Sequence, residues 1–200
     1  MFLNYINAFR AVAIFFIVAT HSVLVFSWDT SLVQKKILDI VIGSGTVFFL
    51  FIAGYLFQHL SSKFDTKKYY ASKLQNILLP YLIISLPSII YYVFISPRNW
   101  DANFVAQPEW LQVFYYYWWG LHLYNMWFIP VIALFYLLGP ILIKGDKSNI
   151  LYCLLPLFIF ISVLVPRSLF TTDNFLHFFS IYVLGMLASK YKSKINPTTI

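Results

Sequence analysis

Long apolar runs are the feature that most constrains the fold of this chain. A helix needs about 20 apolar residues to cross the hydrocarbon core of a bilayer. Six stretches approach or reach that length, and the fifth is short. The predicted spans are 5–27, 37–59, 77–96, 124–143, 149–165 and 174–190.

The composition supports an integral membrane protein. Sixty per cent of the 200 residues are hydrophobic and only 10% are charged. A soluble domain needs a larger polar surface than this composition supplies. Low-complexity linkers and repeats are absent from the sequence, so we predict one domain over residues 1–200, an all-α polytopic transmembrane helical bundle. The first run lacks a small-residue cleavage site and is interpreted as a retained span, not as a signal peptide.

The net charge of +7 does not point to nucleic acid. Lys and Arg are spread along the chain, mainly at the ends of apolar runs, where they orient helices in a bilayer. The single cysteine, Cys153, excludes an internal disulfide. No cluster of His, Cys, Asp and Glu has the spacing of metal ligands, so we predict no metal site.

The distribution of charge predicts the orientation. With a cytoplasmic N-terminus, ten basic residues fall inside and four outside, which satisfies the positive-inside rule. The inner set is Arg10, Lys63, Lys67, Lys68, Lys73, Lys144, Lys147, Lys190, Lys192 and Lys194, and the outer set is Lys35, Lys36, Arg98 and Arg167. We therefore predict a multi-pass protein of the cell membrane with both termini cytoplasmic. Residues 108–124, PEWLQVFYYYWWGLHLY, are rich in Trp and Tyr and predict a segment that lies in the membrane interface.

The first span carries two ionisable residues, Arg10 and His21. At 100° and 1.5 Å per residue, they differ by about 20° around the helix and lie ~16 Å apart along it. Such residues within a membrane helix usually face a bundle interior or a wet cavity. Alternatively, Arg10 extends to the headgroups and His21 is a structural hydrogen-bonding residue.

Several motifs in chain order resemble the acyltransferase-3 family of membrane O-acyltransferases. Arg10 and His21 fit the family spacing of Arg, ten residues, then His. Four further stretches are similar to family segments: GTVFFLFIAGYLF (45–57), KLQNILLPYL (73–82), NMWFIPVIALFYLLGPIL (125–142) and FLHFFSIYVLGMLASK (175–190). The chain departs from the family at Asn7, Ala53, Asn76 and Asn125, where Asp, Ser, a basic residue and His are common. Family members have about ten spans, so we interpret the chain as a fragment or a short form, with complementing helices or an oligomer as possible partners.

The resemblance implies transfer of an acyl group, usually acetyl, from acetyl-CoA to a hydroxyl of a cell-surface glycan or lipid-linked sugar. It implies that Arg10 and Lys73 bind the donor and that His21 acts as general base or as transient acyl acceptor. Asn7, Ser22, Tyr55 and Asn125 are candidates to orient the His21 ring. His59, His122 and His177 are interpreted as structural.

Two other functions stay open at this stage. A carrier or flippase would use the same charged face as a translocation path, and Pro80, Pro87, Pro130, Pro140 and Pro156 are possible helix breaks. The chain has no pair of matching Gly/Pro-interrupted halves, which argues against this alternative. A non-catalytic remnant is the third possibility.

Overall fold

The computed structural model describes residues 4–23, 45–98, 102–123 and 126–192, and within these residues all regular structure is helical. This agrees with the all-α prediction. The described chain forms two compact units. Unit 1 contains residues up to Ser62 and from Ser180 onward, and unit 2 contains Lys63–Phe179. The prediction of a single domain stays a prediction.

Unit 1 is built from two N-terminal helices, α1 (Asn4–Val23) and α2 (Gly45–His59). Their contact buries Ile6 and Ala13 of α1 against Ile52 and Tyr55 of α2. The ring centroids of Phe9 and Phe48 lie 5.3 Å apart, which extends the contact. The first predicted span is therefore one unbroken helix up to Val23. Residues 24–44, which include the start of the second predicted span, lie outside the described residues.

Unit 2 begins with one long helical stretch. The helix α3 (Thr66–Lys73) continues through a π-helical segment (Leu74–Leu78) into α4 (Leu79–Ile90) and a second π-helical segment (Tyr91–Ile95). The carboxylate of Asp65 accepts a hydrogen bond from the backbone N–H of Lys68 at 2.8 Å and so caps α3. The helix therefore begins about ten residues before the predicted span at 77, because the polar residues of α3 extend it.

Short helices follow in the rest of unit 2. They are α5 (Ala102–Val105), α6 (Glu109–Trp119), α7 (Phe128–Leu137), α8 (Gly139–Lys147), α9 (Ile150–Cys153) and α10 (Leu155–Leu164). The axes of α7 and α8 differ by 53°, where Pro140 opens α8. Proline lacks the N–H that would continue the preceding helix. The last helix, α11 (Thr171–Lys190), contributes its first residues to unit 2 and its later residues to unit 1.

By length and composition, two of the described helices can cross a membrane, Asn4–Ser22 and Thr66–Ile95. The bent pair α7 and α8 makes a third if it counts as one span. Two shorter apolar helices, α2 and α10, fall below that length. Membrane character is therefore supported, whereas the predicted number of six spans is not confirmed.

Close packing of α2 against α11 within unit 1 depends on two glycines. A Cβ atom at Gly54 would overlap the backbone carbonyl of Tyr182, and a Cβ atom at Gly185 would overlap the carbonyl of Phe51. Small residues allow helix backbones to approach in this way in membrane proteins. No side-chain rotation relieves the overlap, because the opposing atoms belong to the backbone.

We expect Gly54→Leu to separate α2 from α11. The free energy of unfolding should fall by about 1–3 kcal/mol, the usual penalty of overpacking. The measurement is the midpoint of thermal unfolding in detergent. Ala11→Leu is the matched control, since Ala11 is exposed on α1 and the added bulk meets no backbone. Equal midpoints for the two variants would contradict the glycine contact.

Candidate functional site

Arg10 and His21 lie on one side of α1, at the edge of the stripe that packs on α2. The stripe contains Ile6, Phe9 and Ala13, and helical geometry places both ionisable residues beside it. Arg10 is exposed and His21 is half-buried. In the described part of the chain, Arg10 makes no hydrogen bond and no ion pair. The helix therefore carries an arginine and a histidine at positions ~16 Å apart along its axis.

Three of the four residues proposed to orient the His21 ring are described, and two of them are bonded elsewhere. The Ser22 hydroxyl donates to the carbonyl of Val18 at 2.9 Å. The Tyr55 hydroxyl lies 2.7 Å from the hydroxyl of Tyr5. Asn7 is exposed on α1, and Asn125 lies outside the described residues. None of the three described candidates forms a hydrogen bond to the His21 ring.

Lys73 lies between two tyrosine rings in unit 2. Its ammonium nitrogen is 4.6 Å from the ring centroid of Tyr136 and 5.4 Å from that of Tyr69. Among the described residues it forms no ion pair with a carboxylate. Cation–π contacts hold an ammonium in place without neutralising its charge. Lys73 is therefore positioned to attract an anion.

The π-helical segment Leu74–Leu78 begins directly after Lys73. Such segments are frequent at functional sites because they change the direction of the side chains around them. Asn76, which stands where the family commonly has a basic residue, donates to the backbone carbonyl of Ser72 at 2.9 Å. Lys73 thus retains one of the basic residues that are common in the family at the start of the third predicted span. Asn76 instead stabilises the local helix.

The three histidines that were interpreted as structural differ in their surroundings. His59 accepts a hydrogen bond from the Lys192 ammonium, with 3.3 Å between Nδ1 and Nζ. His177 donates from Nδ1 to the carbonyl of Val165 at 2.8 Å. His122 is completely buried, and its Nδ1 lies 3.0 Å from the carbonyl oxygen of Tyr116.

Sequence reasoning missed the polar residues around His122. Its ring lies 5.9 Å from the Tyr81 ring and 6.2 Å from the Tyr117 ring. Burial lowers the pKa of His122 below its ordinary value. The sequence contained no local sign of this contact, because Tyr81 lies in a different helix, far from His122 along the chain. The described residues contain no group of three or more His, Cys, Asp or Glu side chains that could hold a metal ion.

The described helices have the length and composition of a membrane protein. The first of them carries an ionisable pair, and Lys73 has no carboxylate partner among the described residues. The family model described as an acyltransferase domain matches residues 3–200. The chain therefore belongs to this acyltransferase family, which confirms the resemblance found in the sequence. Searches of curated proteins and of solved structures gave no match.

Proposed function

We propose that the chain transfers an acetyl group from acetyl-CoA to a hydroxyl of a cell-surface glycan or a lipid-linked sugar. The family establishes a membrane acyltransferase. The observation that carries the proposal further is the single unbroken helix α1, which presents Arg10 and His21 on one side. A coenzyme A molecule has a polyanionic head and a long arm that ends in the thioester, so it needs a cation and a reactive group at two depths.

The charge of the described residues fits a polyanionic donor. The described residues of unit 1, which are 4–23, 45–62 and 180–192, contain no aspartate or glutamate. Arg10 therefore has no carboxylate there to neutralise it. Its planar guanidinium can bind two phosphate oxygens at once. Lys73 adds an ammonium that is oriented by two tyrosine rings.

In the proposed reaction, Nε2 or Nδ1 of His21 takes the proton of the acceptor hydroxyl as the oxygen attacks the thioester carbon. A C–O bond forms, the C–S bond breaks, and the proton passes to the leaving thiolate. If His21 instead receives the acyl group itself, an acyl-imidazole forms first and the acceptor hydroxyl then attacks it. Both routes give an ester and a free thiol.

We expect His21→Ala to lower acetyl transfer by about 10²–10⁴-fold, the usual contribution of a positioned acid–base group. The measurement is transfer of labelled acetyl from acetyl-CoA to glycans in membranes that contain the chain. His21→Gln retains hydrogen bonding but does not titrate near neutral pH, so it should be equally inactive. Transfer at the native rate by the Gln variant would make the histidine structural. A carrier would move its substrate in both variants without any transfer.

We expect Arg10→Lys to raise the acetyl-CoA concentration required for half-maximal rate by about tenfold, as the loss of one charge-assisted hydrogen bond of about 1.5 kcal/mol predicts. Lys67→Ala is the control, since Lys67 is an exposed cation that we assign to orientation alone. If both variants show the native dependence on donor concentration, Arg10 is only a membrane anchor.

The proposal includes six spans, a cytoplasmic location of both termini, the lipid bilayer as environment and no nucleic acid or metal partner. In a Cys153→Ser background, a cysteine at exposed Thr172 should react with an impermeant thiol reagent added outside intact cells, and one at exposed Lys67 should not. The reversed pattern would overturn the orientation.

Complementing helices or a second copy are further proposed partners, and co-purification from the membrane tests them.

A further inference from the structure

His59 and Lys192 form a hydrogen-bonded pair at one end of unit 1. His59 is the last residue of α2, and Lys192 lies two residues beyond the end of α11. An ammonium group can only donate, so Nδ1 of His59 accepts from Nζ of Lys192 at 3.3 Å. In a neutral imidazole the hydrogen then lies on Nε2, which makes this nitrogen a donor. No described residue accepts a hydrogen bond from it.

The pair is supported by the protein on one side and lies at the surface. The His59 ring stacks on the ring of Tyr55, with 6.5 Å between the centroids and 20° between the planes. Tyr55 is buried, and its hydroxyl lies 2.7 Å from the hydroxyl of Tyr5 on α1. His59 itself is partly exposed and Lys192 is exposed. The stacking therefore orients the imidazole, and the surface position leaves space for a ligand.

The charge around the pair favours an anion. The described residues of unit 1 contain no aspartate or glutamate, and Lys192 forms no ion pair with a described carboxylate. Lys190, the last residue of α11, adds a second positive charge. The ammonium of Lys192 keeps two N–H groups that its bond to His59 does not use. The complementary ligand is an anion with at least two acceptor oxygens, such as a phosphate group.

The neighbours of the pair distinguish a lipid from a soluble anion. Leu60 directly follows His59 and is 59% exposed, and Tyr191 directly precedes Lys192 and is 37% exposed. Tyrosine is favoured at the level of the lipid headgroups, and an exposed leucine suits acyl chains. A soluble anion has no apolar part to contact these two side chains. A phospholipid has both a phosphate and acyl chains.

We propose that His59 and Lys192 bind the phosphate of an anionic phospholipid, whose apolar part contacts Leu60 and Tyr191. In the proposed orientation this lipid belongs to the cytoplasmic leaflet. A zwitterionic lipid fits less well, because its ammonium group meets two lysines and no carboxylate of unit 1. Every lysine near a membrane surface attracts anionic lipid weakly, whereas this site requires a lysine and a histidine together. The inference does not depend on the proposed function.

The test measures lipid binding without an acyl donor. The full chain in detergent is incubated with equimolar phosphatidylglycerol and phosphatidylcholine of identical acyl chains, and bound lipids are counted by native mass spectrometry. We expect the native chain to bind more phosphatidylglycerol than phosphatidylcholine. Lys192→Gln and His59→Phe should each lower the ratio of the two bound lipids by about threefold, as expected for the loss of an exposed charged contact.

Lys67→Gln is the matched control, because it removes the same charge from an exposed lysine that has no hydrogen bond or ion pair with a described residue. Its lipid ratio should equal that of the native chain. His59→Phe keeps an aromatic ring against Tyr55, so its unfolding midpoint should stay close to the native value. If this variant nevertheless fails to fold, Lys192→Gln still decides the test.

The outcomes separate this site from general attraction and from the donor site. An absent preference for phosphatidylglycerol, or equal ratios in Lys192→Gln and Lys67→Gln, overturns the inference. A second arm adds coenzyme A or glycerol 3-phosphate at the concentration of the lipid. Displacement of phosphatidylglycerol by either compound would assign the pair to a soluble phosphate and overturn the lipid site. A preference that depends on the pair, in a chain without acetyl transfer, supports the inference and refutes the proposed function.

Discussion

The main constraint on the structure is that its apolar helices offer few hydrogen-bonding partners to the polar groups they carry. A polar group without a partner costs several kcal/mol in hydrocarbon, so each one must be satisfied within the protein. Thr20, Ser22 and Ser162 follow the simplest route, since each hydroxyl donates to the carbonyl four residues earlier. Arg10 and Lys73 have no carboxylate partner among the described residues. Without such a partner, each charge costs free energy to place in an apolar helix. For the same reason, each charge can still pair with a ligand.

The apolar runs were sufficient to predict helices, but not where helices begin and bend. Pro140 and Pro156 stand at the start of α8 and α10, as a proline without an N–H should. Pro80 and Pro87 were considered as breaks in the same way, yet they lie inside the helical stretch Thr66–Ile95. That stretch includes π-helical segments at Leu74–Leu78 and Tyr91–Ile95, where the hydrogen-bond pattern changes. Such adjustments depend on the packing around a proline, which a hydropathy pattern does not contain.

In the candidate site too, features set by spacing within one helix could be predicted, and features set by contacts between helices could not. The common side of Arg10 and His21 follows from spacing within one helix, so the sequence was enough to predict it. The environment of His122 arises from the contact between α4 and α6, and Tyr81 and Tyr117 are 36 residues apart in the chain. One histidine in an apolar sequence gave no indication of which groups would surround it.

The two histidines differ in their surroundings, and so they suit different tasks. Nδ1 of His122 donates to a backbone carbonyl, which fixes the tautomer and leaves Nε2 as a constant acceptor. Such a ring can bind a hydroxyl group but is poorly placed to take up and release a proton. His21 is half-buried, and the described residues of its unit include no carboxylate. Part of the His21 ring therefore stays accessible to an acceptor hydroxyl in the proposed reaction.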